Sequence, residues 1–463
     1  MDMQGRGQIR TRDLTTGSIT GNLLLFALPL MAGNLLQQLY NVADTWVVGR
    51  FLGADALAAV GSAYTLMTFL TSILLGLCMG SGADFALQYG KRDFDRMKTG
   101  IFLSFVLIFA ITALLTAIVY AGMDGILWVL QVPAAIMPIM REYLIFVFIG
   151  IPATFLYNYF ANLLRAVGDS MTPLLFLAAS AILNIVLDLF FVLVTHWGVA
   201  GAAIATAISQ YVSGVGLALF TVLRFRELIP GQRHRRWDTG VLREIARLSG
   251  LTSVQQSVMN FGILMVQGLV NSFGTVVMAA FAAAVKIDSF AYMPVQDFGN
   301  AFYTFIAQNY GARDMGRIRK GIRSAVLAAA VFSGAVSVLV CVFAEPLLLL
   351  FVKPEEREIL AVGVQYLRVE GAFYVGIGIL FLLYGLYRAI QRPGMSLVLT
   401  VISLGTRVAL AYALSAIPAI GVVGIWWSVP IGWALADVAG VVYYKRNRDR
   451  LLRPQQPQKG ANP

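Results

Sequence analysis

Long apolar segments alternate with short polar ones from residue 22 to residue 444. Twelve of these segments are about 20 residues long, which is the length that crosses the hydrocarbon core of a bilayer as an α-helix. The pattern therefore predicts twelve transmembrane helices, numbered as spans 1 to 12 in chain order. The spans are predicted at residues 22–48, 57–80, 100–121, 143–163, 172–195, 199–223, 249–272, 277–301, 322–345, 366–386, 396–416 and 421–444.

The composition supports a membrane location. Apolar residues make up 58% of the 463 residues and charged residues only 13%, a balance typical of integral membrane proteins. The first 20 residues carry three arginines in a polar stretch and lack the apolar core and cleavage site of a signal peptide. Span 1 is therefore expected to be retained.

The distribution of positive charge predicts the orientation. Most of the 35 Lys and Arg residues lie in the two tails and in the loops that follow even-numbered spans. Because positively charged loops stay in the cytoplasm, both termini are expected to be cytoplasmic, with the chain in the cell (plasma or inner) membrane. The basic segment 224–248 is then a topological signal facing lipid headgroups, and we expect no nucleic-acid site there.

The cysteines and histidines do not form a metal-binding pattern. Cys78 and Cys341 lie far apart in two apolar spans, and neither His196 nor His234 has a Cys or carboxylate at ligand spacing. We therefore expect free thiols and no metal site of the Cys/His type.

The sequence repeats itself at a distance of about 220 residues. A shift of 221 places "QYGKRDFDRMKTGI" (88–101) on "NYGARDMGRIRKGI" (309–322), and a shift of 223 places 142–167 on 365–390. The chain is thus predicted to contain two homologous halves of six helices each. Since six is even, both halves enter the membrane from the same side, and such parallel repeats are typical of transporters.

The repeat divides the chain into five parts. The expected fold is an all-α membrane protein whose two six-helix lobes surround a central cavity. The parts are a cytoplasmic tail at 1–20, an N-lobe at 21–223, a basic connector at 224–248, a C-lobe at 249–444 and a second cytoplasmic tail at 445–463.

Four polar residues of the first half are expected at one membrane depth. Asp44 lies about six residues from the outer end of span 1, while Asp188 and Asn184 lie one turn apart on one face of span 5. Thr206 is about seven residues into span 6. At 1.5 Å per residue, all four are roughly 10 Å below the outer surface.

This layer has the chemistry of a site for a proton or a small cation. A carboxylate in hydrocarbon is costly and normally faces the bundle interior with a partner. Two close carboxylates are not easily both charged, so that one would hold a proton, or a Na⁺ would bind with the Asn and Thr oxygens as further ligands. The alternative is that Asp44 and Asp188 each bond locally to a helix, without coupling.

The second half does not repeat these residues. At the repeat shifts, the four positions correspond to Met265, Arg407, Ala411 and Val429. The sequence therefore predicts one acidic site, in the first half only.

Several stretches resemble the multidrug and toxic compound extrusion (MATE) transporters, in the DinF-like branch of the multidrug/oligosaccharidyl-lipid/polysaccharide (MOP) flippase superfamily. They are "PLMAGNLLQQLYNVADTWVVGRFLG" (29–53), "LLRAVGDSMTP" (163–173), "NIVLD" (184–188), "GVAGAAIAT" (198–206) and the repeated "QYGKRD" and "NYGARD" turns. The resemblance covers essentially the whole chain. It implies export of organic, often cationic, compounds in exchange for H⁺ or Na⁺, without a catalytic site or any other cofactor.

The resemblance also implies roles for individual residues. Asp44, Asn184, Asp188 and Thr206 match the amino-terminal-lobe site of the DinF-like branch. Pro29 matches the span 1 proline that permits bending, since proline lacks an N–H. Another branch couples transport through acids of the second lobe, and it looks different from this chain, in which we expect no acid in spans 7, 10 and 11.

Span 8 carries polar residues that the resemblance does not explain. Lys286, Asp288 and Asp297 are expected at membrane depth. Either they line the cavity as a second polar site, or they form an internal ion pair that orients the helix. If Asp288 or Asp297 carries a proton, the prediction of a single site is wrong.

Other side chains could contact a transported compound, because aromatic, amide and thioether groups adapt to varied organic cations. Ordinary helix packing is the alternative for each of them. These candidates are Gln37, Tyr40, Asn158, Asn162, Tyr292 and Met293.

Two other functions remain open at this point. A flippase for lipid-linked precursors would share the bundle and the repeat, although such relatives usually carry two further helices and a strongly cationic cavity. A membrane-embedded transferase would need a cluster of catalytic acids or histidines at one membrane face, which the sequence lacks. The expected partners are small organic compounds and membrane lipids, and the chain is expected to be monomeric.

Overall fold

The computed structural model describes residues 12–129 and 136–452, and within them all regular structure is helical. The α-helices are numbered in chain order. They are α1 (Ile19–Phe51), α2 (Ala54–Lys91), α3 (Phe94–Ala121), α4 (Met123–Val129), α5 (Met137–Val147), α6 (Ile151–Ala166), α7 (Met171–Leu189), α8 (Gly198–Arg224), α9 (Thr239–Asn271), α10 (Thr275–Gly311), α11 (Met315–Val342), α12 (Ala344–Leu348), α13 (Arg357–Gly371), α14 (Tyr374–Ala389), α15 (Pro393–Ser415) and α16 (Val423–Leu451).

These helices agree with the predicted membrane fold. Within the described ranges, ten helical segments are long and apolar enough to cross a membrane, and the bent pair α13–α14 makes an eleventh. The predicted span 7 lies in α9, which has 33 residues but no stretch apolar enough to be counted with these segments. This helix begins ten residues before the predicted span 7, because its first turns carry the charged residues of the basic connector.

Two predicted spans are interrupted. Span 4 consists of α5 and α6 joined by one 3₁₀ turn at Phe148–Gly150. Span 10 bends by 50° between α13 and α14. The bend follows Gly371, and the helix resumes at Tyr374.

The chain forms two compact units. Unit 1 comprises Met1–Asp13, Leu25–Phe85 and Phe94–Phe261, as far as these residues are described. In it, α8 packs against α5, α6 and α7, and α3 packs against α6. Unit 2 comprises Leu14–Leu24, Ala86–Asp93 and Gly262–Pro463, with the same restriction. In it, α10 packs against α13 and α14, and α15 packs against α16.

Polar contacts fix the connector within unit 1. The ring of His234 is nearly buried, and its Nε2 lies 2.8 Å from Oδ1 of Asp95 at the start of α3. Arg96, one residue further, donates to the buried Asp84 at 3.2 Å and to Glu244 on α9 at 2.8 Å. The basic connector is therefore held to the start of α3 by polar contacts.

Polar contacts also fix the segment before α1, within unit 2. Leu14 is fully buried, and its N–H donates to Oε1 of Gln308 at 3.2 Å. The guanidinium of Arg317 donates to the carbonyls of Leu14, Thr16 and Gly17. One arginine of α11 thus orders the polar stretch that precedes the first span.

The two repeated turns pack against each other inside unit 2. Gly90 lies so close to the backbone of Gln308 that a side-chain carbon would overlap the carbonyl oxygen, and Gly311 lies equally close to the carbonyl of Leu87. The two turns also share a left-handed residue, Arg92 at φ 59° and Arg313 at φ 60°. The repeat therefore extends to the backbone conformation.

We expect that Gly311→Ala lowers the stability of the folded protein by about 1–3 kcal/mol, because a methyl group cannot fit against the Leu87 carbonyl without a backbone shift. The measurement is the thermal unfolding midpoint of the purified protein in detergent. Gly334→Ala on α11 is the matched control, since its methyl group would enter open space and alanine favours a helix by up to about 1 kcal/mol. Equal midpoints for the two variants would contradict the close packing of the repeated turns.

Candidate functional site

Two carboxyl groups meet inside unit 1. Asp44 on α1 and Asp188 on α7 face each other closely enough to share a hydrogen bond. Asp188 is fully buried. Neither of its carboxylate oxygens, nor Oδ1 of Asp44, accepts a hydrogen bond from a donor in the described part of the chain. Among the described residues, these three oxygens therefore lack the donors that normally surround a buried carboxylate.

Each of the two helices that carry these side chains has an irregular feature. The α-helical part of α7 ends at Leu189, one residue after Asp188, and a π-helical turn follows at Phe190–Val194. Such a turn adds one residue to the helical repeat and is frequent at functional sites. In α1, Pro29 lies inside the helix, fifteen residues before Asp44, and cannot donate a backbone hydrogen bond.

An amide and a hydroxyl complete this group of residues. Asn184 lies one turn before Asp188 on the same face of α7, and its Nδ2 donates to Oγ1 of Thr206 on α8 at 3.4 Å. The other amide atom, Oδ1, is buried and accepts no hydrogen bond from the described residues. The structure thus places the four residues in two contacting pairs linked along α7.

Tyrosines surround the carboxyl pair. Tyr40 on α1 and Tyr143 on α5 both lie close to the two carboxyl groups, and the side chain of Gln37 is within hydrogen-bonding distance of the Tyr40 hydroxyl. The sequence reasoning missed Tyr143. A signal for it existed, because the repeat shift of 223 places Tyr143 on Tyr366, the same residue type.

The donor set has a clear chemical meaning. Buried acceptor oxygens of Asp44, Asn184 and Asp188 converge in a place where the described residues offer no N–H or O–H to them. Oxygen atoms of this kind are ligands for hard cations, and a pair of close carboxyl groups also holds a proton well. The arrangement can therefore exchange a proton or a small cation.

The remaining candidates for substrate contact lie in both units. In unit 1, Nδ2 of Asn158 and Nδ2 of Asn162 each donate to a carbonyl four residues earlier in α6, at 2.8 Å. In unit 2, the ring of Tyr292 lies 6.3 Å from that of Phe381 on α14, and Met293 is half-buried. Contact of any of these residues with a transported compound stays a prediction.

Unit 2 contains a second group of buried acids, which corrects one expectation. Asp288 on α10 lies beside Glu370 on α13, and both residues are buried. The expectation that span 10 has no acid was wrong, because Glu370 lies within it at 366–386. The expectation of a single acidic site for the coupling ion, in the first half only, stays a prediction.

The other two charged residues of span 8 also lie on α10. Nζ of Lys286 lies 5.9 Å from the centre of the Phe351 ring. Asp297 is buried, with 2% of its surface exposed.

Comparison with known proteins gives a consistent result. A family model described as MatE matches residues 29–190 and 250–413. The probable multidrug resistance protein YpnP of Bacillus subtilis (strain 168) is 31% identical over 96% of this chain and 99% of its own length. The multidrug export protein MepA of Staphylococcus aureus (strain N315) is 23% identical over 93% of this chain and 94% of its own.

Solved structures with the same fold include a MOP superfamily transporter from Pyrococcus furiosus. It superposes with a TM-score of 0.89 at 23% identity, over 97% of this chain and 100% of that chain. An outward-facing multidrug resistance MATE family transporter gives the same values.

Proposed function

This chain belongs to the MATE family of transporters, and from that premise we propose that it exports small organic compounds, often cationic, by antiport. A proton or Na⁺ that binds at Asp44 and Asp188 would drive the export. The observation that carries this proposal is the pair of facing carboxyl groups in unit 1, three of whose oxygens accept no hydrogen bond from the described residues.

The pair supports ion coupling because the two carboxyl groups are unfavourable without a bound ion. An ionised carboxylate within a membrane segment is unfavourable unless it is paired, and the two acids repel each other when both are charged. A proton or a Na⁺ between them relieves both costs. The group therefore favours a bound ion whenever it is open to the side that supplies one.

The exchange follows from this preference. A cation from outside enters the Asp44–Asp188 pair and α1 rearranges around Pro29, so that the exported compound loses affinity and leaves. The return to the inward-facing state releases the cation into the cytoplasm. When the exported compound is uncharged, one charge that moves inward is worth about 2.3 kcal/mol per 100 mV, which supports roughly fiftyfold accumulation outside if coupling is one-to-one.

The same proposal includes location and assembly. The chain would act as a monomer in the cell membrane with both termini in the cytoplasm. The concentration of Lys and Arg in the tails and in the loops after even-numbered spans supports this orientation.

Ethidium efflux from loaded cells that express the wild-type chain tests the proposal. The proton gradient and the sodium gradient are collapsed separately, with cells that carry the empty vector as control. We expect efflux above the vector level that stops when one gradient is lost, which identifies the ion. Efflux that survives the loss of both gradients would exclude antiport.

A further inference from the structure

The two repeated turns of unit 2 line a pocket that the proposed export does not use. At the repeat shift of 221, the turn at 88–93 corresponds to the turn at 309–314. The pocket between them (the turn pocket) has a volume of about 550 Å³, and Lys91, Arg92 and Arg313 are among the residues that line it. The repeat therefore brings positive side chains from both halves of the sequence to one place.

The two arginines hold equivalent positions in their turns. The N–H of Arg92 donates to the carbonyl of Tyr89 at 3.1 Å, and the N–H of Arg313 donates to the carbonyl of Tyr310 at 3.2 Å. The next N–H in each turn donates to the carbonyl five positions earlier, at 3.1 and 3.0 Å. These bonds form the motif that ends a helix with a left-handed residue, and both arginines are left-handed, at φ 59° and 60°.

Arginine is an unusual residue for this position of a turn. The left-handed conformation is unfavourable for most side chains, and helices that end in this way usually have glycine there. Glycine would therefore be less strained in either turn. Both copies of the repeat nevertheless have arginine, at positions 92 and 313, which indicates that the guanidinium groups serve the pocket rather than the turn.

The turn pocket has an excess of positive charge. Its lining contains three positive side chains and one negative side chain, and these belong to Lys91, Arg92, Arg313 and Asp93. Within residues 12–129 and 136–452, neither Lys91 nor Arg313 takes part in an ion pair. The other acid of the two turns, Asp314, accepts a backbone N–H from the first turn of α11 at 2.8 Å. The lining therefore favours an anion.

Phosphate is the anion that best fits these side chains. A guanidinium presents its N–H groups in a planar fork that matches the oxygens of a phosphate, and a lysine adds a compact positive charge. Cζ of Arg92 lies 5.4 Å from the centre of the Tyr89 ring, a contact that restricts the guanidinium. Two arginines and one lysine thus offer both the geometry and the charge that a phosphate needs.

The turn pocket lies where helices that cross the membrane begin or end. The helix α2 ends at Lys91 and α10 ends at Gly311. Thr15, which also lines the pocket, precedes the start of α1 by four residues. Basic pockets at this level of a membrane protein bind the headgroups of anionic lipids. Two sources can therefore supply a phosphate here, an anionic lipid and a soluble compound.

We propose that the turn pocket is a binding site for a phosphate group, held by Arg92 and Arg313 from the two halves of the repeat. A bound phosphate joins the two turns, whose backbones already touch at Gly90 and Gly311, and so stabilises unit 2. The site shares no residue with the Asp44–Asp188 pair, and its occupation does not rest on the proposed function.

Thermal unfolding of the purified protein in a neutral detergent tests this proposal, because a ligand of the folded state raises the unfolding midpoint with its concentration. One probe is dioleoyl phosphatidylglycerol added to the micelles, with dioleoyl phosphatidylcholine for comparison. The other is glycerol 3-phosphate at constant ionic strength. We expect a saturable rise with at least one probe. A rise with phosphatidylglycerol alone identifies a lipid headgroup as the source, whereas a rise with glycerol 3-phosphate shows that a soluble phosphate suffices.

A double variant removes the two guanidinium groups from the pocket. We expect Arg92→Asn with Arg313→Asn to weaken the apparent affinity for the active probe by about tenfold or more, since it removes two charged donors. The turns should keep their shape, because asparagine adopts the left-handed conformation more readily than most residues. The matched control is Arg319→Gln with Lys320→Gln, which removes two exposed positive charges of α11 outside the pocket and should bind the probe like wild type.

Three outcomes would overturn the proposal. The first is a folded wild-type protein whose midpoint changes with neither probe. The second is an unchanged affinity in the folded double variant. The third is an equal loss of affinity in the double variant and in the control, because the probe would then respond to overall charge. If the double variant does not fold, Arg92→Asn and Arg313→Asn are tested singly, with an expected loss of about threefold each.

Discussion

Asp188→Asn is expected to reduce dye efflux at least tenfold, to the level of cells that carry the empty vector. Asparagine has nearly the same shape as aspartate but can neither hold a proton nor carry the charge that attracts a cation. Its amide would also donate to Oδ1 of Asp44, which has no donor in the described part of the wild-type protein. The exchange would then have no ion to drive it.

The same measurement on two more variants shows whether the carboxyl groups work as a unit. Asp44→Asn should be as inactive as Asp188→Asn, and the double variant should be no worse than either, as is usual for residues that act together. The amount of each variant in the membrane is checked by immunoblot.

Asp124→Asn is the matched control for these variants. The Asp124 side chain is largely exposed and pairs with Arg141 at 3.1 Å, and surface ion pairs of this kind contribute about 1 kcal/mol or less. Its efflux should equal that of wild type. If Asp188→Asn also pumps normally, coupling would have to be sought at Asp288 and Glu370 in unit 2.

The fold was largely predictable from the sequence because the membrane imposes strong rules. A helix that crosses hydrocarbon needs about 20 apolar residues, so that hydropathy alone located most of the spans. Span 7 was located as well, although the polar residues of α9 lower its hydropathy and its first turns lie in the basic connector. The bend between α13 and α14 was missed, because span 10 was read as one helix and no proline interrupts it.

The first polar group could also be predicted, because the position of a residue within a span gives its depth in the membrane. Asn184 and Asp188 had to share a face, and counting residues from the helix ends placed Asp44 at the same depth. The structure places these side chains together, while their role in coupling stays a prediction. Tyr143 was missed because its proximity to the acids depends on how α5 packs, which neither depth nor periodicity determines.

The second polar group was harder to find. Glu370 lies close to the start of the predicted span 10, where an acid is easily taken for a residue of the membrane surface. Its neighbour Asp288 is more than 80 positions away in the sequence. The repeat gave no help, because the corresponding residues of the first half are apolar. Comparison of the two halves identifies residues that both halves share, but it does not identify acids that occur in only one half.

The amide of Asn184 provides the second large effect. We expect Asn184→Leu to raise the concentration of coupling ion that gives half-maximal efflux by about ten- to a hundredfold. The substitution removes the Oδ1 acceptor next to Asp188, and one hydrogen bond or ligand to a charged group is worth about 1.5–3 kcal/mol. Each 1.4 kcal/mol changes an affinity tenfold. The measurement is the initial rate of efflux as a function of external pH and, separately, of external sodium.

Two further variants show whether the Asn184 amide contributes to ion binding or only joins α7 to α8. Asn447→Leu is the control, because Nδ2 of Asn447 bonds to the carbonyl of Tyr443 within α16, and its ion dependence should match wild type. Thr206→Val should weaken ion binding less than Asn184→Leu, since it removes the acceptor for Nδ2 of Asn184 and leaves the Asn184 oxygen in place. An unchanged ion dependence in Asn184→Leu would mean that Asp44 and Asp188 hold the ion by themselves. The amide would then serve only to join α7 to α8.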